Sequence, residues 1–283
     1  MSAVATVACV EDHISKRNFD QLARFIYDYS GIKMPPTKLT MLEGRLRRRL
    51  RATGISSFDD YCDYLFKHDG LEQEKVFLID AVTTNKTDFF REPNHFAYLR
   101  DQALPKLAAR DLRRFRIWSS ACSTGAEPYT IAMILDDFTR DSPQQDYAIL
   151  ATDLSTDVLQ TARRGIYSAD MVAPVPPELR ERYVMTPLDA HRREVRIHPA
   201  LRSKVGFARL NLMDPSYGVG DPMHIIFCRN VLIYFDKPTQ HRVLSRLIDC
   251  LVPGGYLFIG HSETVSGFDL PIRQVANTVF EKV

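Results

Sequence analysis

Four apolar runs in this 283-residue chain end in polar groups that could do chemistry. After Ile117 and Trp118 comes Ser119-Ser120-Ala121-Cys122-Ser123-Thr124-Gly125, followed by Glu127-Pro128 at a helix start. The run from Tyr147 to Thr152 ends in Asp153, that from Val205 to Leu210 in Asn211-Leu212, and that from His224 to Cys228 in Arg229-Asn230. A loop of small residues lets a ligand approach the backbone, and the helix that follows offers unpaired N–H donors. This loop carries a carboxylate and no lysine, which argues against a phosphate and for a ligand with a positive group. An acid ending the second strand is the usual partner of ribose hydroxyls, although Asp153 could equally cap the helix beginning near Thr156. The fingerprints GxGxxG and GxxxxGK[ST] are both missing, which disfavours NAD and ATP. S-adenosylmethionine fits the set better, with an adenosine for Asp153, a cationic amino group for Glu127 and no phosphate.

These groups need a frame, and the pattern from Arg114 onward supplies one. Strands are expected at about 115–120, 147–152, 205–210, 224–228 and 256–260, with final β-like runs near 272–283. Helices are expected at about 127–138, from Ser155 as cap to Arg164, and at 238–251, with Pro253-Gly254-Gly255 as a turn. Such alternation implies an α/β fold, a mostly parallel sheet with helices on both faces and ligands beyond the strand ends. Residues 166–203 interrupt the rhythm with Pro174, Pro176, Pro177 and Pro187 and then an alternating Glu194–Ile197, so a small inserted β-subdomain is expected there.

Residues 15–82 read instead as four short helices without a strand pattern, a small helical domain. The first has Phe19, Leu22, Phe25, Ile26 and Tyr29 on one face; the second has Leu42, Leu46 and Leu50; Ser57 caps the third; the fourth starts near Leu71. Between Lys38 and Arg51 six basic residues face one acid, Glu43, whereas Asp59 to Asp80 holds seven acids against Lys67 and Lys75. Either the arginines pair with the neighbouring helices, or Arg45, Arg47, Arg48, Arg49 and Arg51 form a docking face for an acidic partner. Five arginines in seven residues favour docking. The segment Thr83–Pro93 is too aromatic for a plain linker and is expected to line the site, with Phe89 or Phe90 inward, before a helix through Phe96 and Leu99 interrupted at Pro105. The domains are therefore set at 1–82, a linker and connecting helix at 83–113, and 114–283.

Composition is that of a soluble globular protein, 45% apolar and 25% charged. A net charge of only +2 gives no global field for nucleic acid or membrane. Five scattered cysteines without CxxC spacing fit reduced thiols in a cytosol, with no disulfide framework and no metal site. The N-terminal MSAVATVACV lacks a basic flank and is expected to be a frayed end, not a signal peptide; no run is long enough to span a membrane.

Taken together, TTNKTDFFR, WSSACSTGAEPY, ATDLS, NLMD, FCRNVLIYFD and GHSE resemble the bacterial chemoreceptor glutamate methyltransferases, the CheR family, over nearly the whole chain. The resemblance implies a Rossmann-like S-adenosylmethionine-dependent methyltransferase sheet of seven strands, an N-terminal helical domain and a small inserted β-subdomain. By position, Asn85, Thr87 and Arg91 would contact the cofactor and line the site. Glu127 would hold the methionine amino end, Asp153 the ribose, and Asn211 and Leu212 the adenine region, while Arg229, Asn230 and Tyr234 complete the pocket. The implied substrates are specific glutamates on the helical cytoplasmic bundle of chemoreceptors, and the product is S-adenosylhomocysteine. A glutamate, with a pKa of about 4.3, is already ionised near neutral pH and needs no general base. Alignment is then the main task, with Arg91 as the carboxylate-orienting fork and Tyr234 beside the sulfonium. Cys122 as a nucleophile and His261-Ser262-Glu263 as a hydrolase fragment are weaker than their reading as small loop and strand-end residues.

Two departures from the family pattern bear on partners. Ala126 stands where many relatives carry a second glutamate. No glycine lies between Gly165 and Gly206, where some relatives have a glycine-bearing loop that binds a receptor's C-terminal pentapeptide. Tether binding is therefore not expected, and the arginines of the second helix take the recognition role. A cytoplasmic monomer is expected, open to a protein regulator and without nucleic acid or membrane insertion. One rival is a nucleic acid methyltransferase, but the fourth strand end reads Cys228-Arg229-Asn230-Val231, not Asn/Asp-Pro-Pro-Tyr/Phe. The other is a non-catalytic cofactor sensor, against which an intact Arg91 and Tyr234 argue.

Overall fold

A computed structural model describes residues 12–283 other than 111, 143 and 190. The N-terminal decapeptide and Cys9 lie outside the described residues. The chain divides between Thr83 and Thr84 into two compact units, so residues 84–113 go with the larger one.

In the first unit, α1 (Lys16–Ser30), α2 (Leu39–Thr53), α3 (Phe58–Lys67) and α4 (Leu71–Val82) pack through one apolar face each. Leu22, Ile26, Leu42, Leu46, Tyr61, Leu65, Leu78 and Ile79 are all buried. Ser15 and Ser57 cap α1 and α3 by accepting from Asn18 N and Asp60 N, and Gly31 and Gly54 stop α1 and α2 in the left-handed conformation.

The second unit opens with α5 (Pro93–Tyr98), a π-helical turn (Leu99–Ala103) and α6 (Leu104–Ala108). The expected break at Pro105 does not occur. Pro105 falls in the first turn of α6, where its missing N–H costs little, and the wider π turn absorbs the register change. There follow β1 (Arg114–Ser119), α7 (Ala126–Thr139), β2 (Asp146–Asp153), α8 (Thr156–Arg164), β3 (Ile166–Ser168), α9 (Pro177–Tyr183), β4 (Val184–Met185), β5 (Glu194–Ile197), α10 (Pro199–Arg202), β6 (Val205–Arg209), β7 (Met223–Cys228), a 3-10 turn (Leu232–Tyr234), α11 (Lys237–Asp249), β8 (Leu251–Ile259), β9 (Ile272–Ala276) and β10 (Val279–Lys282).

Seven strands form one sheet in the order β6-β2-β1-β7-β8-β10-β9. β6, β2, β1, β7 and β8 run parallel, while β10 is antiparallel to both β8 and β9. Sequence order reverses between β1 and β7, which places the topological switch point at the ends of those two strands. One sheet face packs Phe115, Ile117, Ile225, Phe227 and Phe258 with α6 and α7; the other packs Trp118, Ile226, Leu257 and Ile259 against α11. Phe227 and Phe258 stack at 4.4 Å across β7 and β8.

Pro253-Gly254-Gly255 does not end an element before a new strand, as expected, but lies within β8. Met223 pairs with Leu251 and then Ile225 with Tyr256, so the extra residues bulge between two pairs. Glycine is required there: Gly254 has φ +68, and a Cβ on Gly255 would lie 2.9 Å from Val252 O and 3.0 Å from His224 O. The 166–203 insertion builds a three-stranded antiparallel sheet in the order β3-β5-β4.

Candidate functional site

The loop from β1 to α7 is held from three sides. Ser120 N and Oγ both donate to Phe227 O at the end of β7, and Cys122 N donates to Thr152 O in β2. The Trp118 ring N–H donates to the Thr152 hydroxyl at 2.9 Å. Ser123 sits at φ +49 and Gly125 at φ +93, where a Cβ would lie 2.9 Å from both Ala162 Cβ and Tyr167 Oη. This tight turn aims the start of α7 at the switch point.

Glu127, in the first turn of α7, accepts from Ser119 Oγ at 2.7 Å and from Arg229 Nη1 at 3.0 Å. Its charge therefore already has a partner within the chain, which residue types alone did not show. Burial raises its carboxyl, while Arg229 and Ser119 pull it back. Arg229, just beyond β7, is almost fully buried and also donates through Nη2 to Glu92 Oε2 at 3.0 Å and to the Arg91 carbonyl. Its guanidinium lies over the Phe96 ring, 5.3 Å from the centroid. Asn230, at φ +57, donates to Glu92 Oε1 at 3.1 Å. Burial alone would raise the Glu92 carboxyl, but the Arg229 guanidinium and the Asn230 amide outweigh it and hold it below the ordinary range.

Asp153 closes β2 with both oxygens engaged: Oδ2 accepts from Ser123 N at 2.8 Å and Oδ1 from Ser155 N at 3.0 Å. Ser155 precedes α8, but its side chain makes no cap bond, and the hydroxyl is buried without a partner. Thr124 Oγ1 is orphaned in the same way. Asn85 reaches the loop through its carbonyl, which accepts from Ser123 Oγ at 2.8 Å. Arg91 is half-buried, with Nη1 donating to Lys86 O at 3.0 Å; Thr87 is half-buried in the same segment. Phe89 is the aromatic that packs inward, edge-on to Tyr167 at 5.0 Å, while Phe90 packs against Phe96.

At the next strand end, Leu210 N donates to Asp153 O, Asn211 Oδ1 accepts from Met213 N, and Leu212 is buried beside Trp118. Tyr234 is half-buried at the end of the 3-10 turn after Asn230. A cavity of about 230 Å³ lined by Met213, Thr239, Arg242, Val243 and Arg246 adjoins this loop but holds none of the other strand-end groups.

Sequence reasoning missed Glu92, which ties Arg229 and Asn230 together, and Glu263, set aside with its neighbours as a strand-end residue. Glu263 is buried and accepts four backbone N–H groups, those of Gly260, Asn230, Val231 and Leu232, at 2.6–3.0 Å. Burial pushes its carboxyl up and those donors pull it back.

The docking face also changes. Arg45 donates to the carbonyls of Val82 and Thr83, and Arg47 to Asp12 O while lying over the Phe58 ring. Arg49 forms a bidentate pair with the buried Glu74 at 2.7 and 3.0 Å and covers Phe77. Three of the five arginines thus hold the helices together, because the acids and helix ends of α3 and α4 lie within reach. Arg48 and Arg51 are exposed and have no partner among the described residues.

The strand-end cluster and the four-helix unit both have counterparts in known proteins. Residues 85–280 match the model of the CheR methyltransferase, SAM binding domain, and residues 17–83 that of the CheR methyltransferase, all-alpha domain. The chain belongs to the CheR methyltransferase family. It is 37% identical over 273 residues to chemotaxis protein methyltransferase 2 of Pseudomonas aeruginosa, covering 95% of this chain and 94% of that one. It is 39% identical over 267 residues to the chemotaxis protein methyltransferase of Escherichia coli, covering 94% and 91%. Family membership makes the chain an S-adenosylmethionine-dependent methyltransferase of chemotaxis. The site fits that cofactor. Orphaned hydroxyls at Thr124 and Ser155 flank Asp153, and no lysine or arginine stands in the 119–127 loop to demand a phosphate. Among the described residues, no helix is long and apolar enough to cross a membrane.

Proposed function

We propose that this enzyme methylates glutamate side chains on the helical cytoplasmic bundle of chemoreceptors, forming methyl esters and S-adenosylhomocysteine. The observation that carries this reading is the buried Arg229, clamped between Glu127 and Glu92 at the switch point, which leaves the strand ends rigid and acidic around a site for a cationic ligand. The cofactor, when bound, supplies a methyl group on a sulfonium, whose transfer leaves a neutral thioether.

The residues then divide the work. Glu127 has lone pairs beyond those facing Ser119 and Arg229 and offers them to the ligand's ammonium group. Asp153, kept in place by Ser123 N and Ser155 N, presents its remaining lone pairs to ribose hydroxyls, with Thr124 and Ser155 as neighbours. Asn211 and Leu212 border the adenine. Arg91 uses one nitrogen on Lys86 O and keeps the rest of its guanidinium for the substrate carboxylate. Asn85 and Thr87 line the same segment, and Tyr234 stands at the next turn. No group has to move a proton, because the nucleophile is already an anion and the leaving group is neutral. Rate enhancement comes from orientation, which can supply several kcal/mol.

Arg48 and Arg51 are the basic pair available to meet the acidic methylation helices. The enzyme acts as a cytoplasmic monomer without a pentapeptide tether and is open to a protein regulator. The deciding experiment is transfer of labelled methyl from S-adenosylmethionine to purified receptor signalling domains, with and without their C-terminal tails. Base-labile label on glutamates, equal with and without the tail, is expected. Base-stable label, or none on any receptor domain, would refute the substrate assignment.

A further inference from the structure

Glu92 and His95 stand three residues apart around the first turn of α5, a spacing that puts a carboxylate and an imidazole on one side of a helix. His261, just beyond β8, comes in from the opposite side, its ring edge-on to that of His95 at 4.8 Å. Glu92 Oε2 lies 3.4 Å from His95 Nδ1 and 3.9 Å from His261 Nε2, and one donor atom from each residue falls within 4.8 Å of the others.

The hydrogen bonds around His95 fix what its ring offers. The residue is 1% exposed, and its Nε2 lies 2.8 Å from Thr278 Oγ1. The Thr278 hydroxyl donates its single proton to Asn277 O at 2.8 Å. Nε2 must then carry the imidazole hydrogen and donate to Thr278, which leaves Nδ1 bare. That bare nitrogen is buried without a hydrogen-bond partner and faces a carboxylate oxygen. Two acceptors facing each other at this distance call for a cation between them.

We propose that Glu92, His95 and His261 form a binding site for one divalent transition-metal ion. Two imidazole nitrogens and one carboxylate oxygen suit zinc, cobalt or nickel and not magnesium or calcium. Metal–ligand bonds of about 2.0–2.2 Å in a tetrahedron separate ligand atoms by roughly 3.3 Å, so a small turn of the exposed His261 ring completes the set. The fourth position, on the solvent side of His261, takes water. The Nε2–H to Thr278 contact is the outer bond that orients a metal-binding imidazole. Arg229 Nη2 shares Glu92 Oε2, but its Nη1 pairs with a second carboxylate, Glu127, so two carboxylates stand against that one guanidinium and a net negative charge is left for a dication. A metal here would staple the segment that carries Arg91 to the end of β8, and the site is independent of which protein receives the methyl group.

The test is calorimetric titration of the full-length, chelator-stripped protein with ZnCl2, alongside ¹H–¹⁵N spectra of the histidine rings and visible absorption with Co²⁺. One equivalent of zinc should bind. It should shift the ring nitrogens of His95 and His261 selectively, and Co²⁺ should give a tetrahedral spectrum. His261→Ala should weaken zinc binding by roughly tenfold or more. The spectra of the unaltered protein stand even if that variant unfolds. Absence of saturable binding, unmoved His95 and His261 signals, or undiminished zinc affinity in a folded His261→Ala would overturn the proposal.

Discussion

Arg229 at the end of β7 and Glu127 in the first turn of α7 form an ion pair at 3.0 Å with side chains only 2% and 11% exposed. The two residues are far apart in sequence, yet the pair joins the two strands at the switch point, and Glu92 closes it on the other side of the guanidinium. Removing the cation leaves two carboxylates facing each other in a dry setting. Arg229→Met should therefore cost about 3–5 kcal/mol of stability, read as a lower urea midpoint, and should abolish cofactor binding. Combining it with Glu127→Gln should recover part of the stability and none of the binding.

The basic helix makes two opposite predictions within one turn. Arg49 pairs with Glu74, whose side chain is 7% exposed and also accepts from Tyr61 Oη at 3.0 Å. Arg49→Ala should destabilise the helical unit by about 2–4 kcal/mol, seen in thermal melts. Reversal of Arg48 and Arg51 to Glu should leave stability within about 0.5 kcal/mol, since such surface sites contribute little. The same double reversal should lower receptor methylation at least tenfold with S-adenosylhomocysteine affinity unchanged. Full methylation by that variant would remove the docking role.

These contrasts show what was legible in the chain and why. Strand and helix alternation was readable because each element's period is local, as was the polar residue at each strand end. The bulge at Pro253-Gly254-Gly255 was not, because only its pairing with β7 reveals that β8 runs through it. Nor were Glu92, His95 and Glu263: their partners lie across the sheet, as Glu92 meets Asn230 and His261, and no spacing rule reaches that far. Charge density on α2 was plain, but which arginines are consumed depends on where the carboxylates and helix ends of α3 and α4 fall.

Glu263 fixes the turn that carries Asn230 and Tyr234. Four N–H groups converge on its two oxygens, so a neutral amide in its place would present a donor to at least one of them. Glu263→Gln should cost about 2–3 kcal/mol in urea unfolding. Methyl transfer should fall more than cofactor affinity, because the turn and not the 119–127 loop is loosened. Unchanged kinetics in a folded Glu263→Gln would show that the turn holds without it.

Acid should weaken the fold through His224 well before carboxylates protonate. The residue is 3% exposed, and its Nδ1 accepts from Arg116 N at 2.9 Å, tying β7 to β1. Burial, with Arg116 and Arg110 nearby, pushes it down to about 4. The unfolded chain binds that proton near pH 6.5, so between about 6.5 and 4 it holds more protons than the folded one. Stability is therefore fully present above pH 6.5 and is lost as pH falls toward 4, by about 2 kcal/mol at pH 5 and about 3 kcal/mol at pH 4 from this residue. His95, depressed to about 4 by the same burial effect, adds a loss of the same sign. Urea midpoints from pH 7.5 to 5 should fall accordingly. His224→Gln, which keeps an acceptor for Arg116 N but does not titrate, should flatten the slope by about half; an unaltered slope would assign the acid sensitivity to other groups.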